Sequence, residues 1–336
     1  MRLPLPPETL PEAPVVSTGT LPPPDEVTDL VDEALTRYAT EKDGTVADYI
    51  PALAGASPEL FGISVTGVTG RTHSAGDADA PFSIQSISKP FVFAIVCDAI
   101  GPEVAQEFLG VNSTGLPFDS VMAIELNQDR TGNPMVNAGA IATTSLVPGD
   151  THEERWRFVR EGLSRFAARD LVVDEEVFVS ESATNTRNRG IARLLDGYGR
   201  VHGDPDEAVD IYTRQCSLTV TARDLSVMGA TLADGGVNPV TGVKVIDARS
   251  CWRVLAVMST AGLYEQSGDW LYEIGLPGKS GVSGGIVTIS PGKGGLGTYS
   301  PPLDGAGNSV RGQLVARFLS DRLGMNIFLS KDVENR

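Results

Sequence analysis

The sequence predicts an α/β chain of the α+β kind: one mixed, mostly antiparallel sheet with flanking helices, and a helical lobe at about 100–245. Three observations predict it. Helical and strand-like patterns share the first quarter of the chain, up to about Ser86. A long middle stretch then carries repeated helix-start signals, and the last quarter turns to glycine-punctuated strand patterns before a final helix. A single sheet built from both ends of the chain, with the helical section packed alongside, accounts for that order.

The elements follow in sequence. Residues 1–24 hold eight prolines and read as an extended arm. Val27, Leu30, Val31, Ala34, Leu35 and Tyr38 recur at helical spacing, with Asp25 as candidate cap. Residues 45–55 read as a second short helix interrupted near Pro51, and 61–76 as two strands joined at Thr69-Gly70. An apolar helix runs from about Ser86 to Ile100. Thr151-x-x-Glu154 is a capping box, and Asp204-Pro205-x-Glu207 is a start signal with proline at the first helical position. Thr221-x-x-Asp224 opens a helix that Gly235-Gly236 stops, and another spans about Ile246 to Met258. The runs from Gly285 to Ser290 and from Gly295 to Ser300 are strands around a turn at Pro291-Gly-Lys-Gly, and 309–322 is the terminal helix. With no internal repeat, and no proline-rich linker after residue 24, residues 25–330 read as one continuous domain and 331–336 as a tail.

Composition narrows function. The chain has 336 residues, enough for a substantial core, and a formal net charge of −16. Such a surface repels phosphate backbones and anionic membranes, so nucleic-acid and membrane partners are not expected. Cys97, Cys216 and Cys251 are widely spaced among apolar residues, and His73, His152 and His202 are isolated. That pattern fits reduced core thiols and implies neither a disulfide framework, a metal centre nor a Ser-His-Asp triad. The N-terminus lacks a basic region leading into an apolar run, and the longest apolar run is too short to span a bilayer, so the cytoplasm is the expected location.

One motif carries chemistry. Ser86 and Lys89 stand at i and i+3, on one face of a helix start where free N–H groups favour negative charge. A serine hydroxyl needs a base, and a lysine brought from about 10.4 toward about 7–8 by burial can supply one. The alternative is Ser86 as a cap and Lys89 as a solvated first-turn residue. Two features favour the chemical reading: the helix that follows is unusually apolar, and Lys279-Ser280-Gly281 stands before the terminal strands. Ser-x-x-Lys early, with Lys-Ser/Thr-Gly on a late strand, is the paired signature of the serine beta-lactamase and DD-peptidase architecture.

The chain resembles the bacterial-type glutaminases, serine-dependent enzymes with a beta-lactamase-like fold. The resemblance rests on Val46-Ala-Asp-Tyr-Ile-Pro, Phe82-Ser-Ile-Gln-Ser-Ile-Ser-Lys, Asn133-Pro-Met-Val-Asn-Ala-Gly-Ala, Glu181-x-x-x-Asn185-x-Arg-Asn188, Thr260-Ala-Gly-Leu-Tyr and Gly278-Lys-Ser-Gly-Val-Ser-Gly-Gly. It implies Ser86 as nucleophile, Lys89 as proton-transfer partner and Tyr264 as second acid/base. It also implies glutamine binding by Tyr49, Ser86, Asn137, Glu181, Asn188, Tyr212, Tyr264 and Val282, and an oxyanion hole from the N–H groups of Ser86 and Val282. Lys279 and Ser280 are expected to support the site. Ser283 stands where the family often has a tighter glycine run. The implied reaction converts L-glutamine to L-glutamate and ammonia through a γ-glutamyl-serine ester, with no cofactor, in a homodimer or homotetramer. The rival readings are a beta-lactamase or cell-wall D,D-peptidase, disfavoured by the absent Ser-Asp-Asn motif, and a noncatalytic binding protein of the same fold.

Overall fold

The computed structural model describes residues 19–329, so most of the proline-rich arm and the tail lie outside the described residues. Among the described residues seven strands form: β1 (Gly62–Gly67), β2 (Thr72–Gly76), β3 (Phe82–Ser83), β4 (Thr219–Val220), β5 (Gly278–Ser280), β6 (Gly285–Ser290) and β7 (Gly294–Tyr299). Five of them make one sheet in the order β2-β1-β7-β6-β5, and β3 and β4 pair separately. Every pairing is antiparallel, so the sheet is less mixed than predicted. The reason is local: short connections join β1 to β2, β5 to β6 and β6 to β7, and within the sheet β1–β7 is the pairing that joins the two ends of the chain.

Both faces of the sheet are covered, which is why β1, β6 and β7 are buried along their whole length. Ile63, Val65, Ile286 and Leu296 pack with Val27, Val31, Val315 and Leu319 of the Pro24–Tyr38 and Val310–Arg322 helices. Val287 and Ile289, on the opposite face, join the core of the helical lobe. The alternation follows from the two-residue period of a strand. On this second face the Ala222–Ala233 helix lies nearly in backbone contact with β7, because a Cβ at Gly297 would come within 2.1 Å of the Ala222 carbonyl. Ser226 of that helix hydrogen-bonds the hydroxyls of Ser64 and Thr66 at 2.9 and 2.7 Å, which keeps the seam's polar groups satisfied.

The capping box at Thr151 forms, the helix start at Thr221 also proves to be a capping box, and Asp204 caps its helix by accepting from the Asp206 N–H at 2.7 Å. Other expectations are corrected. Asp25 is not a cap: the first helix begins at Pro24 and its N-cap, Pro23, has no capping side chain. Residues 45–55 hold only a 3-10 turn, Pro51–Leu53, because Thr45 is held extended by backbone bonds to and from Leu303, both 2.9 Å. The apolar helix begins as a 3-10 turn, Gln85–Ile87, and becomes α-helical at Ser88–Ile100. The helix Asn137–Ser145 has no sequence signal, since all nine residues are buried and none marks a polar face.

Candidate active site

The turn that carries Ser86 is anchored before it begins. Phe82 stacks on Tyr299 with ring centroids 4.0 Å apart, and the Ile84 N–H donates to the Leu218 carbonyl at 2.8 Å. Gln85 then takes a left-handed backbone, φ 50°, an uncommon state for a non-glycine residue and one found at functional sites. Ser86 follows in the first turn, where N–H groups lack helical partners. From the sheet side Gly281 approaches this turn so closely that a Cβ would lie 3.0 Å from the Ile84 carbonyl. The Gly281 N–H donates to the Gly285 carbonyl and the Gly284 N–H to the Gly281 carbonyl, leaving the Val282 N–H outside the turn's own bonding.

Ser86 faces a cavity of 220 Å³, whose walls include Tyr49, Asn137, Glu181, Asn188, Tyr212 and Val282. With Ser86 these come from six separate stretches of chain, so only folding gathers them. Wider grooves of 550 to 630 Å³ open elsewhere on the surface, without the buried lysine and carboxylate gathered here. Tyr49 is the outermost member at 58% exposed; Glu181 and Tyr212 are buried. Burial pushes the Glu181 carboxyl up to about 7, while hydrogen bonding to Gln85 and the charge of Lys89 act the other way. The Gln85 amide donates to Glu181 at 3.4 Å.

Lys89 lies behind the wall, fully enclosed. Its Nζ donates to Asn137 Oδ1 at 2.7 Å and to the Met135 carbonyl at 3.4 Å, and the rings of Phe118 and Tyr212 lie within 6 Å of it. Burial draws its pKa down to about 8, opposed by Cys216, Glu181 and Asp119. Asn137 also accepts from the Tyr212 hydroxyl at 3.2 Å and donates to Asn188 at 2.9 Å.

Tyr264 approaches from the other side, again with a left-handed backbone, φ 56°. Its hydroxyl donates to the Ser280 carbonyl at 3.3 Å, and its ring packs on Phe118 at 4.8 Å. Burial raises the phenol's pKa, while hydrogen bonding with Ser86 and Ser280 lowers it. Lys279 also donates to the Ser280 carbonyl, at 2.7 Å, with its Nζ 4.3 Å from the Tyr264 ring. Burial and the neighbouring Lys89 push Lys279 well below the usual lysine range. Of the residues implied by the resemblance, Tyr49, Ser86, Asn137, Glu181, Asn188, Tyr212 and Val282 line the cavity, Lys89 bonds Asn137, and Tyr264 and Lys279 share the Ser280 carbonyl.

Sequence reasoning missed several neighbours. Gln85, Phe118, Asp119, Asn185 and Arg187 also line the cavity, and Asp119 and Arg187 form an ion pair at its mouth. Asn185 and Arg187 fall inside a stretch already singled out, whereas Phe118 and Asp119 sit in a loop with no periodicity to mark them. The three cysteines are free and buried, each thiol pushed up to about 12 by desolvation. Among the described residues no group of three or more His, Cys, Asp or Glu side chains is placed to hold a metal ion.

Known proteins resemble this chain over most of its length. The family model for glutaminase matches residues 44–328. A protein named glutaminase 2 from Yersinia pestis is 62% identical over 316 residues, covering 94% of this chain and 93% of that one. Among solved structures, the probable glutaminase ybaS superposes with a TM-score of 0.90 at 43% identity, covering 92% of this chain and all of the other. The Bacillus subtilis glutaminase YbgJ, solved as a covalent complex with 5-oxo-L-norleucine, superposes with a TM-score of 0.79 at 30% identity, covering 90% and 99%. With the family model spanning the whole of the sheet and the helical lobe, the chain belongs to the glutaminase family.

Proposed function

We propose that the chain hydrolyses L-glutamine to L-glutamate and ammonia, with Ser86 as nucleophile and the 220 Å³ cavity as the binding site. The observation that carries the reading is the gathering of a carboxylate, two amides and Ser86 around one small cavity, with a buried lysine bonded to one of the amides. The cavity falls below the roughly 300–1,000 Å³ usual for drug-sized ligands and suits a free amino acid. Glu181 pairs with the α-ammonium, Asn137 and Asn188 donate to the α-carboxylate, and Tyr49 and Tyr212 wall the side chain.

Chemistry then follows from residue types. Ser86 Oγ attacks the side-chain amide carbon while its proton passes to the unprotonated Lys89 amine. The oxyanion receives the N–H groups of Ser86 and Val282, a contribution of about 3 kcal/mol per donor. The C–N bond breaks as Tyr264 protonates the departing nitrogen, and the Lys89 ammonium restores the phenol's proton. Water then attacks the γ-glutamyl ester, giving one proton to Lys89, which returns it to Ser86 as glutamate leaves. Lys279 and Ser280 support these steps by holding Tyr264, since both Tyr264 and Lys279 bond the Ser280 carbonyl. The covalent complex of the B. subtilis glutaminase supports a covalent route here.

Residues 25–330 are taken as one catalytic unit, working in the cytoplasm as a homodimer or homotetramer. Among the described residues, no helix is long and apolar enough to cross a membrane. The test is a coupled glutamate assay on wild type, Ser86→Ala and Lys89→Ala, with asparagine as competitor. Ser86→Ala should lose at least about a thousandfold in kcat. Full ammonia release by that variant would remove Ser86 as nucleophile, and equal turnover of asparagine would require a broader amidohydrolase.

A further inference from the structure

From the buried Lys89, through three amides of the cavity wall, a chain of side-chain hydrogen bonds runs in one direction. Lys89 Nζ donates to Asn137 Oδ1 (2.7 Å), Asn137 Nδ2 to Asn188 Oδ1 (2.9 Å) and Asn188 Nδ2 to Asn185 Oδ1 (2.6 Å). Asn185 Nδ2 donates to Thr213 Oγ1 (2.6 Å), whose hydroxyl donates to the Val209 carbonyl one helical turn back (2.8 Å). Asn185 and Thr213 are both buried, and neither belongs to the reacting groups.

We infer that Thr213 and Asn185 are positioning residues that set which way the amides of Asn137 and Asn188 face. An amide carries a donor on one side and an acceptor on the other, so a row of three can run either way without a gap. Only the ends discriminate. At one end the Thr213 hydrogen is committed to Val209, leaving its oxygen to accept, which forces Asn185 to turn its NH₂ toward it. At the other end Lys89 is a donor and requires an oxygen, as does the Tyr212 hydroxyl. In this direction Asn137 and Asn188 each spend one N–H on the row and keep a second for an α-carboxylate. Reversed, both would turn carbonyl oxygens toward that carboxylate, and Asn137 would face Lys89 with a donor. The inference rests on Asn137 and Asn188 binding substrate as proposed above.

Two readouts separate positioning from mere packing. Thr213→Val keeps the shape but removes the acceptor, so the row loses one of its two anchors. KM for glutamine should rise about tenfold, and the acid limb of the kcat/KM profile should move to lower pH. The sign follows from Lys89 losing an acceptor that favours its ammonium, while Glu181, Asp119, Cys216, Lys279 and Tyr212, the other groups that face it, stay in place. Thr213→Ser, which restores the hydroxyl, should return both to wild type. Asn185→Ala, which cuts the row, should reproduce the KM rise should the valine variant fail to fold. Wild-type KM and acid limb in Thr213→Val or Asn185→Ala would overturn the inference, as would a serine variant as impaired as the valine one. Ser86→Ala run in parallel keeps the two ideas apart: an active Ser86→Ala defeats the site itself, whereas an inactive one beside unperturbed Thr213→Val defeats the positioning role alone.

Discussion

At the scale of the residue, the site is governed by two buried groups that pull each other toward opposite charges. Glu181 is raised to about 7 and Lys89 lowered to about 8 because each lacks water, and each charge partly restores the other. In the proposed roles, substrate binding uses the Glu181 carboxylate, present above about 7, and attack uses the free Lys89 amine, present above about 8. Both requirements fail in the same direction, so kcat/KM should fall as pH drops from about 8 through 7, which a pH-rate profile reads directly. A profile flat between pH 6 and 9 would exclude this pair of roles. Glu181→Gln removes the charge while keeping the shape, and should raise KM by roughly ten- to a hundredfold, the worth of a charge-assisted hydrogen bond of about 1.5–3 kcal/mol. Ser86 and Lys89 were legible in advance from their spacing and the apolar helix that follows, whereas Asn137, Glu181 and Tyr264 were reached only through the family resemblance. Lys89's bond to Asn137 was not legible, since 48 residues separate them and nothing in either stretch points to the other.

Elements position these groups through backbone contacts as much as through side chains. The Ala222–Ala233 helix seats against β7 because residues 295 and 297 have no side chains, with the Ala222 carbonyl in the space a Cβ at 297 would occupy. Gly297→Ala should therefore force helix and sheet apart and destabilise the fold by about 1–3 kcal/mol or more, read as a lower Tm. An unchanged Tm would show that the helix can shift freely. The start of that helix was readable from Thr221 and Asp224, because a capping box is local chemistry. The Asn137–Ser145 helix was not readable, because complete burial erases the periodicity that marks a helix at a surface. Residues 45–55 fail for the complementary reason: a distant strand-like partner, Leu303, overrides a weak local preference for helix.

Across the whole molecule, the two ends of the chain close one sheet, and a buried cation fastens them. Arg311, on the C-terminal helix, donates to the Pro58 and Leu60 carbonyls and to Ser300 Oγ, with Phe61 5.0 Å from its guanidinium carbon. Arg311→Met would strand those acceptors at about 1–3 kcal/mol for each that stays buried. Urea unfolding should show a lower midpoint with an unchanged slope, and a wild-type midpoint would show that the clasp contributes nothing.

By itself the sequence determined the fold class and the paired Ser-x-x-Lys and Lys-Ser-Gly motifs, and its matching stretches pointed, through the resemblance, to part of the cavity lining. These depend on residue type and short spacing, which are local properties. The tertiary structure alone decided the wholly antiparallel sheet, the enclosure that lowers Lys89 and raises Glu181, and the row of amides from Lys89 to Thr213. Each of these depends on groups far apart in the chain coming within hydrogen-bond distance and out of reach of water, which no local pattern records.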